Sequence, residues 1–578
     1  MPVRPAHEVR ERNTSRGPWL MVLLAAVVGV PSAAVAVLLR EGVHRLFHWL
    51  EPLRHHPAGI LLPAAGALLG VWVVRYLFHE PGGHGVPAVL EAVSRRGGFM
   101  RPRSILSRLL GSLVNVASGG SAGLEGPIVF SSAAVGSAVG QRFGLAERQR
   151  SLLLACGVAG GIGAIFNAPL TGLIFATEVV LAEWSLTTVV PVAVAATVAT
   201  ELGRLVLGGT GAFHHLGFDF HTVDLAACAV LGALAGVLSV ALIRAIRQTE
   251  VWSRALSRQR PLAWLGAVGA LAGLGVGALG WLEPRAIGEG YETVNDALQG
   301  NLEGGASFLL LLLAGKFLAT TLTLGTNTPG GIFAPSLVLG AVLGSVFGEV
   351  LPRLLPGLSF GEPGLFALVA MAGLVAGTMQ APFTGIFLVL ETTGGWALTL
   401  PLILVSVLSV MVSRSLQRYS FYTQDLMEEG RLLRPGTDRR ILADLVVGEI
   451  LDAETCSVPA GSNLNDLTQI LPSTRRNNFA VVHPETGALE GMLDIASLRP
   501  FIFDEALRLA TPVDTVMNTE VPCLDFEDSL QTALENFEAS GAWVLPVGRE
   551  GRFVGTISKS TLFDRYRREL IIQTSSRS

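Results

Sequence analysis

Chemistry in this chain begins with one carboxylate set among glycines, Gly123-Leu124-Glu125-Gly126-Pro127, directly ahead of the uncharged run Ile128 to Gln141. If that run is a helix, Glu125 stands at its start, where free N–H groups and the helix dipole stabilise an anion. The same donors would hold a halide. A carboxylate there competes with a permeant anion, and protonation removes the competitor. The plainer reading is a Glu that caps a helix in a loop. Two further segments share this physics: Gly82-Gly83-His84-Gly85-Val86-Pro87 and Gly330-Gly331-Ile332-Phe333-Ala334-Pro335. Each puts glycine-rich backbone before an apolar stretch with Pro near its start, where the missing N–H costs little. Three such helix starts converging would bind an anion without a row of buried Arg or Lys.

Gly119-Gly120-Ser121-Ala122-Gly123 also matches G-x-S-x-G, with Ser121 in the nucleophile position. That elbow needs a preceding strand and a His base held by an acid. The context here is a break between apolar helices with no placed His, so an intramembrane serine hydrolase is kept only as a remote alternative. Cys156, Cys228, Cys456 and Cys523 have no ligand spacing, and neither His55/His56 nor His214/His215 has an i, i+4 partner set, so no metal is expected.

These segments must be held by elements suited to lipid. Of 578 residues, 50% are hydrophobic and only 15% are charged, against about a quarter in a soluble globular chain. The net charge of -4 is small and mixed in sign, which excludes a nucleic-acid partner as the reading. Stretches free of Asp, Glu, Lys and Arg run over 17–39, 55–74, 151–177, 184–200, 225–243, 261–282, 317–348, 364–390 and 394–413. Most reach the roughly 17 to 25 residues that a spanning helix needs. Arg4, Arg10, Arg12 and Arg16 precede the first, and Arg414, Arg418, Arg431, Arg434, Arg439 and Arg440 follow the last. Positive charge at both ends predicts cytoplasmic termini and an even number of crossings. The first stretch is too long for a cleaved signal and lacks a small-residue cleavage site.

Gly and Pro interrupt the apolar runs at 117–127, 157–172 and 325–335. In lipid such breaks persist only where they are buried in protein or line a polar cavity, so they mark a binding or permeation site. FNAPLTGLIFATE at 166–178 repeats as MQAPFTGIFLVLE at 379–391, with Ala-Pro, Thr-Gly and the closing Glu in register. That register predicts a duplicated membrane domain. From about residue 440 charge returns and apolar runs shorten to strand length. Amphipathic helices are expected at 462–471 and 528–539, and LEGMLDIASL at 489–498 aligns with FVGTISKSTL at 553–562. Each follows a short strand (479–482 and 543–547), giving two strand-turn-strand-helix modules.

The motifs GxEGP at 123–127, GGIFAP at 330–335, the pair FNAPLTG and QAPFTG, and Tyr422 in YSFY together resemble the CLC family of chloride channels and chloride/proton exchangers over residues 17 to about 425. The tail resembles a tandem pair of CBS modules. The resemblance implies a homodimer with one pore per subunit, each formed by two inverted halves of tilted, broken helices. It makes Glu125 the gating glutamate and gives Ile332 and Phe333 backbone N–H groups that face the central anion. Tyr422 becomes a hydroxyl ligand, and His84, Gly85, Gly123, Gly126 and Ala334 lie in the matching anion-binding segments.

Three departures stand out. His84 takes the place of a serine donor. Leu124 replaces a basic residue ahead of the gate. Val179, after Glu178, stands where exchangers often carry an inner proton-relay acid, as in channel members. In the tail, Gly555 and Ser558 fit a nucleotide-binding pattern but Thr561 occupies its Asp position, and the first copy has Asp494 and Ser497 in the Thr and Asp positions. Nucleotide is therefore not expected, and no other cofactor is.

The expected architecture is an all-α polytopic membrane domain built as an inverted repeat, followed by a small α/β tandem CBS domain. Its parts are a cytoplasmic segment 1–16, a conducting domain 17–425, a linker 426–445, the paired modules 446–570 and a tail 571–578. The expected function is a voltage-gated-type chloride channel in a bacterial cell membrane, passive and gated by Glu125. The alternative is a chloride/proton antiporter of the same family.

Overall fold

The computed structural model describes residues 17–208, 213, 217–218, 220–257, 263–302, 304–429, 442, 445–453, 456–474 and 476–575. Arg4, Arg10, Arg12, Arg16, the pair His214/His215 and Arg431, Arg434, Arg439 and Arg440 lie outside the described residues. The chain divides into two compact units, Met1–Leu432 and Leu433–Ser578.

The first unit is helical and duplicated. Leaving single turns unnumbered, its first half runs α1 (Gly17–Trp49), α2 (Leu62–Trp72), α3 (Gly85–Arg95), α4 (Ser104–Ala117), α5 (Glu125–Arg142), α6 (Glu147–Phe166), α7 (Pro169–Phe175) and α8 (Leu186–Leu207). Its second half runs α9 (Thr222–Ser257), α10 (Ala263–Leu282), α11 (Tyr291–Leu298), α12 (Gly305–Gly325), α13 (Phe333–Leu354), α14 (Pro363–Met379), α15 (Pro382–Thr393) and α16 (Thr399–Leu416), and α17 (Gln424–Glu428) follows. The halves match helix for helix. α5 packs on α6 as α13 packs on α14, and α1 meets α8 as α9 meets α16.

Eight helices among the described residues are long and apolar enough to cross a membrane. The missing charge of the composition is explained by their outer faces, where Leu186 and Leu400 are 82% and 68% exposed. Inside, glycine lets backbones touch: a Cβ on Gly157 of α6 would stand 2.0 Å from the Ser132 carbonyl oxygen of α5.

The uncharged stretches resolve more finely than charge counting allows. The run 151–177 is cut at Asn167 and the run 364–390 at Gln380, each left-handed (φ 55° and 54°) and each followed by Ala-Pro. The run 317–348 holds the end of α12 and the start of α13, and α1 continues past Leu39 through Arg40 and Glu41 to Trp49.

The repeated peptides explain their own closing glutamates. The Glu178 carboxylate, from the first copy, accepts from the N–H groups of Phe383 (3.2 Å) and Thr384 (2.8 Å) and from the Thr384 hydroxyl (2.7 Å) at the start of α15. Reciprocally, Glu391 from the second copy accepts from Leu170 N–H (3.0 Å), Thr171 N–H (2.6 Å) and the Thr171 hydroxyl (2.7 Å) at the start of α7. Each half thus caps a helix of the other, satisfying N–H groups that have no intrahelical partner. Such an exchange is what a two-fold relation between halves produces.

The second unit holds two mixed three-stranded sheets. In the first, β1 (Ser457–Pro459) lies parallel to β2 (Asn478–Val482), which is antiparallel to β3 (Leu489–Asp494). The second repeats the order with β4 (Leu524–Asp525), β5 (Val544–Arg549) and β6 (Arg552–Ser558). The intervening helices Leu464–Ile470 and Leu530–Ser540 fall where expected, but the leading strands β1 and β4, of three and two residues, are additional to the expected module. This content is compatible with CBS modules.

Candidate functional site

Three of the glycine-rich segments do start helices: α3 begins after His84, α5 after Leu124 and α13 after Ile332. The starts meet backbone to backbone. A Cβ on Gly85 would lie 2.4 Å from the Gly126 carbonyl oxygen, and one on Gly126 would lie 3.1 Å from the Gly330 carbonyl oxygen. Gly123 and Gly331 complete the seam with a reciprocal pair of N–H to carbonyl bonds, each 2.8 Å. A Cβ is excluded at Gly85 and would be tightly crowded at Gly126, which gives the Gly-rich motifs a steric reason.

Glu125 is fully buried at this seam. Its Oε1 accepts from the Tyr291 hydroxyl at 3.0 Å, while Oε2 has no hydrogen-bond partner among the described residues. Ile332, Phe333 and Ala334 are fully buried beside it, with the Phe333 ring against Phe175 (5.5 Å) and Phe166 (6.1 Å). Tyr422, placed after α16, is buried, its hydroxyl has no partner among the described residues, and it lies within electrostatic reach of Glu125. An unpartnered buried hydroxyl and a half-satisfied carboxylate close to several helix N-termini form a surrounding that an anion or a proton can enter by replacing a missing bond.

His84 does not point a free ring nitrogen pair at this place. Its Nε2 stands 3.0 Å from Oε1 of Glu250, in α9, and Nδ1 is buried without a partner among the described residues. The bulk that replaces a serine here is accommodated by a ring contact with Phe421 (4.8 Å). Val179 packs, partly buried, against the core. Its neighbour Glu178 is committed to the cap on α15, and Glu183 is paired with exposed Arg148 at 3.6 Å.

Sequence reasoning passed over Tyr291, Glu289 and Lys316. The signal was present: Gly288-Glu289-Gly290 precedes α11 as Gly83-His84-Gly85 opens α3. A buried cation of each half donates to the first glycine's carbonyl, Arg108 to Gly83 and Lys316 to Gly288 (2.7 Å). Glu289 falls within electrostatic reach of Glu125, Lys316 and Arg40.

The hydrolase alternative fails on its own residue. Buried Ser121 follows helix α4 and not a strand, and its hydroxyl is bonded to Thr320 (3.0 Å). Among the described residues no group of His, Cys, Asp and Glu is arranged to hold a metal.

A family model described as "Voltage gated chloride channel" matches residues 65–414. The H(+)/Cl(-) exchange transporter ClcA of Vibrio cholerae serotype O1 is 32% identical over 432 residues, which cover 71% of this chain and 90% of that protein. Among solved structures, a slow cyanobacterial Cl-/H+ antiporter has the same fold (TM-score 0.64, 24% identity, 71% of this chain and 97% of the other). So does a eukaryotic CLC transporter (TM-score 0.62, 21% identity), whose likeness covers 94% of this chain and 98% of its own.

Proposed function

Since this chain belongs to the CLC family of voltage-gated chloride channels, matched over residues 65–414, we propose that it is a chloride/proton exchange transporter. It is a multi-pass membrane protein of an anion-transporting family and not an enzyme. The observation that carries the exchange reading is Glu125: a fully buried carboxylate with one unpartnered oxygen at the meeting of three helix starts can alternate between holding a proton and yielding its place to chloride. The relative from Vibrio cholerae, named an exchange transporter, supports it. The passive channel expected from Val179 stands second, because the absence of one acid at one position leaves other inner groups to carry the proton.

In this reading the backbone N–H groups of Ile332, Phe333 and Ala334 and the Tyr422 hydroxyl bind chloride, and Glu125 carries the proton. Gly85, Gly123 and Gly126 let the helix starts close around the ion, while His84 serves the proton side. The protein works as a homodimer in a bacterial inner membrane with both termini cytoplasmic. Purified protein in liposomes under an outward chloride gradient is expected to drive protons inward against their own gradient. Dissipation of the chloride gradient with no uphill proton movement would leave the passive channel.

The C-terminal unit regulates or pairs subunits without a nucleotide. The Ser558 hydroxyl is 2.8 Å from that of Thr561 and caps the helix that follows β6, and Asp494 accepts from Ala496 N–H at 3.1 Å. The position where a ribose-holding Asp is expected carries Thr561 in one copy and Ser497 in the other, so neither offers a carboxylate. Calorimetry with ATP is expected to show no binding tighter than about millimolar, which corresponds to about -4 kcal/mol. Submicromolar binding would overturn this.

A further inference from the structure

We propose that His84 and Glu250 together form the proton station on the side of the membrane where α16 ends, replacing the acid that is missing at Val179. This rests on the exchanger reading. Coupled exchange needs a titratable group or an ordered water chain between Glu125 and that side, because a proton does not cross protein at membrane depth unaided. Val179 cannot serve, and Glu178 and Glu183 are engaged as described above.

The pair has the required placement. Glu250 lies near the end of α9 and is 6% exposed, yet its Oε2 is 3.3 Å from Arg254, a half-exposed side chain that also reaches Asp425 of α17 at 3.3 Å. Its Oε1 meets His84 Nε2. One step further along the chain, Gly85 rests on Gly126, the residue after Glu125. The pair therefore spans from a solvent-reached ionic cluster to the backbone that carries the gate. An imidazole suits this position because its two nitrogens are distinct: Nε2, which meets Glu250, can accept a proton from that carboxyl while Nδ1, buried without a partner among the described residues, releases one. The proton passes from the aqueous side to Glu250, then to His84 and on toward the Glu125 carboxylate, and no electron moves. Duplication strengthens the assignment. The residue equivalent to His84 in the other half is also titratable, Glu289, and it lies within electrostatic reach of Glu125.

Several charged groups surround the pair among the described residues. Arg254 and Arg247 come from α9, Asp425 and Glu428 from α17, Arg108 from α4, and Arg75 and Glu80 flank the Gly82-Gly83 turn, where Arg75 abuts Gly82 and Arg108 holds the carbonyls of Pro81 and Gly83.

Proton and chloride fluxes are to be measured together in liposomes for the wild type, Glu250→Gln, Glu250→Asp and His84→Gln. The wild type pumps protons; Glu250→Gln and His84→Gln keep moving chloride while the proton-to-chloride ratio falls at least about tenfold, and Glu250→Asp restores most of it. His84→Gln keeps a hydrogen-bond donor to Glu250, so it tests titration even if Glu250→Gln does not fold. An unchanged ratio in either conducting Gln variant overturns the pair while leaving the exchanger reading intact. A wild type that moves chloride without protons rejects both.

Discussion

Glu125→Gln is expected to raise chloride flux and to bring proton movement at least about tenfold below wild type, a barrier change of about 1.4 kcal/mol or more. The amide fills the same space, so the packing of α5 against α13 survives. It carries no charge to compete for the helix-end N–H groups and cannot release a proton. The Tyr291 hydroxyl retains an acceptor in the amide oxygen, whereas the carboxylate oxygen without a partner becomes an NH2 that no longer repels an anion. The dependence of flux on pH that arises from this group should vanish with it. Parallel chloride-electrode and pH recordings on liposomes decide the matter. Unchanged flux with an unchanged pH profile would show that Glu125 is a structural cap.

The second large effect concerns stability. Glu391→Ala removes acceptors from two backbone N–H groups and a hydroxyl at the start of α7, and Glu178→Ala does the same at α15. Charge-assisted bonds of this kind contribute about 1.5 to 3 kcal/mol each, so each variant should lose about 2 kcal/mol or more even after water replaces part of the cap. Thermal unfolding in detergent should show a clear drop for each, with the double variant lower still. Glu178→Gln separates this role from proton relay: what folds should still exchange with wild-type coupling. A stable Glu178→Gln protein that has lost its coupling would return Glu178 to the proton route.

What the sequence made legible follows from the range of each interaction. The helix starts at Gly85, Glu125 and Phe333 were readable because Gly and Pro act locally, through backbone freedom and a missing N–H. The repeated Glu at 178 and 391 was visible as register, but its purpose was not, because the partners lie in the opposite half and contact across more than two hundred residues leaves no local pattern. The same holds for His84 with Glu250 and for Tyr291 with Glu125, 166 residues apart in each case. The serine expected at position 84 suggests a donor to an ion, whereas the carboxylate that meets the His84 ring comes from a helix no motif connects to it. Charge counting merged helices at Asn167 and Gln380, where polar but uncharged residues make the turn. In the C-terminal unit β1 and β4 escaped because strands of two or three residues show no alternation.

The pair of bonds between Gly123 and Gly331 restricts how such a molecule can move. Many carriers expose their cargo alternately by rocking one half against the other about a central cleft. Here the two halves are tied at their centre: Gly123 and Gly331, one from each half, form a single two-bond bridge, and rocking the halves apart would break it. A frame tied in this way favours opening and closing by a side chain that swings within it over movement of a domain. If Glu125 is the gate as proposed, its local motion suffices for turnover, and a covalent tie between the halves, placed away from Gly123 and Gly331, should leave transport running.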